Sequence, residues 1–375
     1  MLNAVVTDFK ALGEEIVTTL DARLKPVQQY LNADNLIEIQ QNSFDDIFET
    51  LINDVDAVLL IAPESENTLF NLARQVEKAG KRLIGPSSDA IRIATNKAET
   101  HRKALDAHVL VPSAIRVGFS EKQEIIDKIC QQIGYPVVFK PIDGVGGSGI
   151  CIVANQKNIG AGLETVQKET TLDTFQIQKY INGLDVSVSA IVSQREVRPI
   201  SLNAQLVRLA PPGQQSEYQG GYLPISHTLR EEAFQNSQKI LEHIEGFQGY
   251  VGIDFVFSYA PFLIEINPRI TTSYIGLREV LSPNPARLIL DALQGEIPSK
   301  ITLTGAAVFS KLELATEIKS LTIPPEFQMK IKISTPPFPH QGSTTIFLVA
   351  LGSTVNSAQQ TLTSFINYMK KIYNL

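Results

Sequence analysis

The chain has 375 residues, a formal net charge of −6, 43% hydrophobic and 19% charged content, and Lys and Arg scattered rather than run together, so neither nucleic acid nor a membrane surface is favoured as a partner. At that length one core does not suffice, and about two to four domains are expected. No apolar stretch approaches the roughly 20 residues of a membrane span. Two cysteines do not describe a disulfide framework and the opening MLNAVVTDFKALGEE lacks the form of a signal peptide, which makes a reducing cytoplasm the expected compartment.

Asp56–Ala62 is a continuous apolar strand pattern. A helical pattern follows through Leu69, Leu72, Ala73, Val76 and Ala79, then Gly80 and a strand Arg82–Ile84 stopped by Gly85-Pro86, which together predict a βαβ unit of a parallel sheet. Ser87 or Ser88 can cap the next helix, carrying Ile91, Ile93, Ala94, Ala98, Leu105 and Ala107 before Pro112. An α/β domain over 1–95 is expected. From 96 to 182 the order becomes helix, strand, glycine-rich loop, strand, helix, strand, and from 183 to 296 Val186, Val188, Ala190 and Val192 alternate with Ser187 and Ser189 as a half-buried strand. Both read as α+β. PPGQQSEYQGGYLP, between Pro211 and Pro224, has many turn formers and little periodicity, which predicts a long lid-like loop. The remainder, 297–375, is a small α+β region with apolar runs at Ala306–Phe309 and Thr345–Val349 and a helix through Ala358, Leu362, Phe365 and Tyr368. No internal repeat is found.

The chemistry concentrates in three places. The first is GYVGIDFVFSYAPFLIEINPR, Gly249–Arg269, two alternating strands with Val251, Ile253, Phe255 and Phe257 on one face and Phe262, Ile264 and Ile266 matching them. A two-residue turn at Tyr259–Ala260 pairs Ser258 with Pro261 and sets Asp254 opposite Glu265. Like charges so paired destabilise a sheet. A bound cation relieves them, and Asp254, Glu265 and Asn267 form an all-oxygen set suited to magnesium held with phosphates; a solvated polar sheet face is the alternative. The second place is DGVGGSG, Asp143–Gly149, whose glycines let backbone amides approach phosphate oxygens. It precedes the strand Ile150–Val153 rather than a helix, so it is a hairpin loop and neither a P-loop nor a dinucleotide fingerprint; a glycine turn without ligand is the alternative. The third is YPVVFKP, Tyr135–Pro141, where Lys140 is costly to bury unless a phosphate pairs with it, or is merely solvated on an outward face. The five histidines show no ligand spacing, and only His227 is a weak catalytic candidate.

In this order the features resemble the ATP-grasp superfamily over roughly Pro86 to Leu293: a helix with Lys97, a strand with Lys140, the glycine loop, the hinge QIQKYINGLD (Gln176–Asp185), then Asp254, Glu265 and Asn267. The resemblance implies two α+β grasp subdomains behind the α/β N-terminal domain, and a carboxylate–amine ligase using ATP with Mg2+, or Mn2+ in its place. It implies Lys97 and Lys140 on the phosphates together with Gly144, Gly146, Gly147 and Ser148 of the loop. Gln178, Lys179, Tyr180 and Ile181 would meet adenine and Asp185 the ribose. Relatives often carry Glu at the hinge and ribose positions, where this chain has Lys179 and Asp185. Arg269 would reach the transferred phosphoryl group or the acyl oxygen, or else form a salt bridge at a strand end. Arg208 and Arg278 are further candidates for gripping a carboxylate substrate. Small-molecule acid and amine substrates are implied, a homo-oligomer is compatible, and a kinase-like phosphotransferase or a non-catalytic nucleotide-binding regulator are the alternatives.

Overall fold

A computed structural model describes residues 1–40, 43–144, 147–318, 321–340 and 342–373. The βαβ unit is present, with Ala57–Val58 pairing in parallel with Arg82–Leu83 across the helix Thr68–Lys78, whose Leu69, Leu72, Ala73 and Val76 are buried. The strand is shorter than its apolar run. Leu60 and Ala62 pack with Leu69 and Val76, while Leu59 and Ile61 turn to a second core under Tyr250 and Ile289, so the segment serves two cores instead of one ladder. A second parallel pair, Val17–Asp21 with Asn35–Ile39, precedes it.

The single helix expected through Ile91 and Ala107 is two, Ser88–Thr95 and Lys97–Asp106. Asn96 breaks it with an extended backbone and accepts from the amides of Ala98 and Glu99 at 3.1 Å each, an N-cap that outcompetes helix continuation. Ser87 caps the first helix as expected.

The first α+β subdomain is an antiparallel four-stranded sheet in the order Ala114–Gly118, Thr174–Lys179, Val137–Pro141, Cys151–Val153. Val137, Phe139, Phe175 and Ile177 form a core with the helices Gln123–Ile133 and Ile159–Gln167. By strand alternation Val138, Lys140, Gln176 and Gln178 lie on the other face. Cys130 and Cys151 are free and inside this core, and burial pushes their thiols up to about 11 and about 12.

An eight-stranded antiparallel sheet carries the rest, in the order Pro261–Asn267, Gly249–Phe257, Leu184–Val192, Val197–Arg208, Glu217–Leu223, Ala306–Leu314, Ser343–Gly352, Ile331–His340. The C-terminal region is thus no separate appendix but extends the sheet of the second α+β subdomain, with the helix Val355–Ile372 packed on it through Ala358, Leu362, Phe365 and Met369. One face of the central strands is covered by Ala90, Ala94, Ala233, Ile240 and Leu241. Part of the other is covered by the helices Tyr274–Val280 and Pro285–Leu293 and by the N-terminal helix Leu2–Lys10. Among the described residues no helix is long and apolar enough to cross a membrane.

Two expectations are corrected. The lid-like loop over Pro211–Pro224 is largely the strand Glu217–Leu223, paired on both sides. Its glycines answer close backbone approach, not turning: a Cβ on Gly220 would lie 2.1 Å from the Phe309 carbonyl and one on Gly221 2.3 Å from that of Ala204. Only the turn before it remains, and it is tied to the first subdomain by Ser216 Oγ on the Ile150 carbonyl (2.7 Å) and the Gly213 amide on Thr165 Oγ1 (3.0 Å). Likewise the strand through Ser187 and Ser189 is buried from Val186 to Val192 rather than half-buried. Its serines are satisfied internally, since Asn203 Nδ2 donates to Ser187 Oγ (3.2 Å) and Ser189 Oγ (3.0 Å), and Ser189 Oγ meets Tyr250 Oη at 2.9 Å.

Candidate active site

Asp254 stands opposite Glu265 as the sequence indicates, and Asn267 opposite Gly252. The path differs. Phe257 pairs with Pro261, so the turn has three residues (258–260), and a bulge that leaves Ile264 unpaired restores the register at Asp254. The bulge also changes the parity of the strand. Leu263, not Phe262 or Ile264, joins Ile266, Phe255 and Ile253 in the core.

The carboxylate pair is tightly held. Gln205 Nε2 donates to Asp254 Oδ1 and Asn267 Nδ2 to Asp254 Oδ2, each at 3.0 Å. Burial, and then the Glu265 charge, raise the Asp254 pKa well above the carboxylate range. With its nitrogen committed to Asp254, Asn267 keeps its carbonyl oxygen as an acceptor. Among the described residues no three His, Cys, Asp or Glu side chains gather as a metal cluster, so any cation here rests on two carboxylates and an amide oxygen. Ser187 adjoins Asp254 in register and leads to Asn203, giving the pair a polar floor.

Lys140 is 4% exposed, with its pKa lowered to about 7 chiefly by burial, then by the Lys97 charge, with Glu265 opposing. None of the ion pairs among the described residues includes Lys140. Its cross-strand partner Gln176 carries a buried carbonyl oxygen, Oε1, with no hydrogen bond. Lys97 Nζ donates to the carbonyls of Ile142 (3.3 Å) and Gly144 (2.8 Å), at the base of the glycine loop. Gly147 and Gly149 have φ of +86° and +69°, and a Cβ on Gly149 would lie 2.8 Å from both Glu169 Cβ and Pro141 Cγ, so glycine is required there. Ser148 Oγ donates to Glu169 at 2.5 Å. Gly146 lies outside the described residues.

At the hinge, the strand Thr174–Lys179 ends where the amides of Lys179 and Tyr180 donate to the carbonyls of Ser113 (2.8 Å) and Pro136 (3.4 Å). Gln178 lies on the Lys140 face, paired with Val138. Lys179 turns elsewhere, its Nζ on the Ile133 carbonyl at 3.1 Å, where a cation suits a helix C-terminus. Asp185 is the second residue of the next strand, Leu184–Val192, and burial raises its pKa to about 6.

The arginines separate by environment. Arg269 makes a two-pronged pair with Glu64 of the N-terminal domain, Nε–Oε1 2.7 Å and Nη2–Oε2 3.1 Å, and donates from Nη1 to the Ile270 carbonyl. Arg278 grips Asp8, as close as 2.6 Å, and fastens the N-terminal helix beside Tyr274. Arg208 is exposed and engaged by Glu217 at 3.2 Å. His227 accepts the Leu229 amide at Nδ1 (3.1 Å) and packs 4.9 Å from the Phe257 ring, a turn-forming role ahead of the helix Arg230–Glu242. Gln205, Glu64 and Gln176 escaped the sequence reading. Gln205 and Glu64 act through partners far along the chain and Gln176 lies opposite Lys140 across the sheet, so no local spacing signals them.

An ATP-grasp domain model matches residues 94–273 and a pre ATP-grasp 3 domain model residues 14–91. Tyramine–L-glutamate ligase of Methanocaldococcus fervens is 32% identical over 273 residues, 71% of this chain and 78% of its own length. Biotin carboxylase from Campylobacter jejuni, solved as an ATP-analogue complex, superposes with a TM-score of 0.78 at 19% identity, covering 95% of this chain and 86% of its own. N5-carboxyaminoimidazole synthetase from Staphylococcus aureus complexed with ADP gives 0.75 at 19% identity, covering 96% and 93%. The last two likenesses concern the fold alone.

Proposed function

The chain belongs to the ATP-grasp family of ATP-dependent carboxylate–amine ligases, and from that premise we propose that it activates an amino-acid carboxylate as an acyl phosphate and passes the acyl group to an amine. The observation supporting this reading is Lys97 Nζ bound to the Ile142 and Gly144 carbonyls at the base of the glycine loop beside the buried Lys140, in a chain that also sets Asp254 opposite Glu265.

The residues fit the groups this requires. A buried ammonium without a carboxylate partner calls for an anion, and the orphaned Gln176 Oε1 calls for a donor such as the amino group of a base. Asp254, Glu265 and the free oxygen of Asn267 would hold magnesium, or manganese in its place, which when bound neutralises phosphate charge during transfer. In the first step a carboxylate oxygen attacks the γ-phosphorus and the bond to the β–γ bridging oxygen breaks, leaving ADP and the acyl phosphate. In the second the amine adds to the carbonyl carbon, loses a proton, and phosphate departs. Lys140 and Lys97 hold phosphate oxygens in line, as do the amides of Gly144, Gly147 and Ser148. Backbone groups of Gln178 to Ile181 other than the committed Lys179 and Tyr180 amides meet the adenine edge, and Asp185 the ribose hydroxyls. The remaining outward N–H groups of Arg269 hold the acyl phosphate. The relative's name supports an acid of the glutamate kind and an amine of the tyramine kind, both small molecules, and the two buried free thiols favour a reducing cytoplasm.

The test is mass spectrometry of products after purified protein receives ATP, magnesium and pooled amino acids and amines. A mass of acid plus amine less water is expected. An acid or amine carrying an added phosphoryl group as the stable end product would replace the ligase reading with a phosphotransferase.

A further inference from the structure

We infer that Glu64, on a loop of the N-terminal domain, is a positioning residue for the acyl-transfer step, aiming the Arg269 guanidinium into the active site. The inference rests on the proposed contact of Arg269 with the acyl phosphate and adds a residue to it from outside the grasp subdomains. Two independent features of the fold carry it. The first is the pair itself: two parallel N–H···O bonds at 2.7 and 3.1 Å join residues 205 positions apart, with the Glu64 side chain 10% and the Arg269 side chain 20% exposed. Such a fork fixes the plane of the guanidinium as well as its position. Glu64 occupies the Nε–Nη2 edge and the Ile270 carbonyl takes one Nη1 proton, so one N–H on each terminal nitrogen remains for a substrate oxygen.

The second feature is the backbone beneath Glu64. Glu66 and Asn67 both have φ near +55° (55° and 57°), and they make up two of the three non-glycine left-handed residues among the described residues. Side chains adopt that conformation at a cost, and such residues persist where the surrounding structure demands a particular chain path. Here the path folds the loop back so that the Leu69 amide reaches the Pro63 carbonyl at 3.0 Å, and this holds the intervening Glu64 toward Arg269. A salt bridge serving stability alone would not need a strained loop to deliver it.

The test uses the full chain with E64D, E64Q, R269A and the double variant E64Q/R269A, supplied with magnesium, ATP and the pooled amino acids and amines. E64D is the decisive variant because it keeps the charge pair, and with it the fold, while drawing the fork back by one methylene. We expect E64D and E64Q to lower turnover on the order of 10- to 100-fold, since displacing a reacting group by about 1 Å costs that much. The KM for ATP should stay unchanged, and the double variant should be no slower than R269A, because Glu64 acts only through Arg269. Full turnover of E64D, with R269A inactive, would overturn the inference and leave the proposed function standing. Full turnover of R269A would overturn the role of Arg269 in that function, and the inference with it. Should E64Q fail to fold, E64D alone decides.

Discussion

Lys140 is held where its own charge is opposed. Its pKa is depressed to about 7 against an ordinary 10.5, so between those values the unfolded chain binds a proton that the folded chain does not. Stability of the free protein attributable to this group therefore rises with pH from about 7 to 10.5, and K140M should flatten that rise in thermal melts. A triphosphate beside Lys140 restores its pKa, so at pH 8 ATP binding should take up a proton. Titration calorimetry in buffers of different ionisation enthalpy reads this directly, and K140M should both abolish the uptake and weaken binding. At the neighbouring carboxylates, E265Q should cut turnover on the order of 100-fold or more, while stability in EDTA holds or rises because the repulsion on Asp254 is relieved. An E265Q variant destabilised in EDTA yet fully active with magnesium would remove the carboxylate pair from the reaction. Lys140 was legible from its apolar flanks and the carboxylates from strand alternation. Lys179 was not, because whether it meets a ligand or caps a helix depends on the Ile133 carbonyl, 46 positions away.

At the scale of elements, the hairpin shows how a register can be read correctly along a different path. A turn longer by one residue and a bulge at Ile264 offset each other, so Asp254 faces Glu265 either way, but the apolar positions beyond the bulge change sides. L263A should therefore cost about 2 to 5 kcal/mol, as for a buried leucine, and I264A clearly less, measured by denaturant unfolding. The reverse ranking would place the bulge wrongly. The segment after Pro211 misled because Gly220 and Gly221 carry the same letters for a turn and for a crowded strand. Only the approach of Phe309, almost ninety positions later, distinguishes the two.

In the whole molecule, the two ends of the chain are drawn onto the eight-stranded sheet. The helix Leu2–Lys10 delivers Asp8 to Arg278 and Tyr274, and the last strands extend the sheet itself. Asp8 is 7% exposed on its side chain, and breaking a buried pair of this kind costs about 3 to 5 kcal/mol. D8A should accordingly lower the melting temperature while the protein that remains folded turns over normally. Reduced turnover at unchanged stability would assign Arg278 to substrate instead. The order of the motifs was legible because each sits within a few residues of its own strand or loop. The joining of the ends was not, since it depends on pairings across most of the chain. The acyl phosphate itself is tested most directly by isotope transfer. With amino acids labelled by 18O in their carboxyl groups, one labelled oxygen should appear in inorganic phosphate for each molecule of ligated product, and unlabelled phosphate alongside full product formation would contradict carboxylate attack on the γ-phosphate.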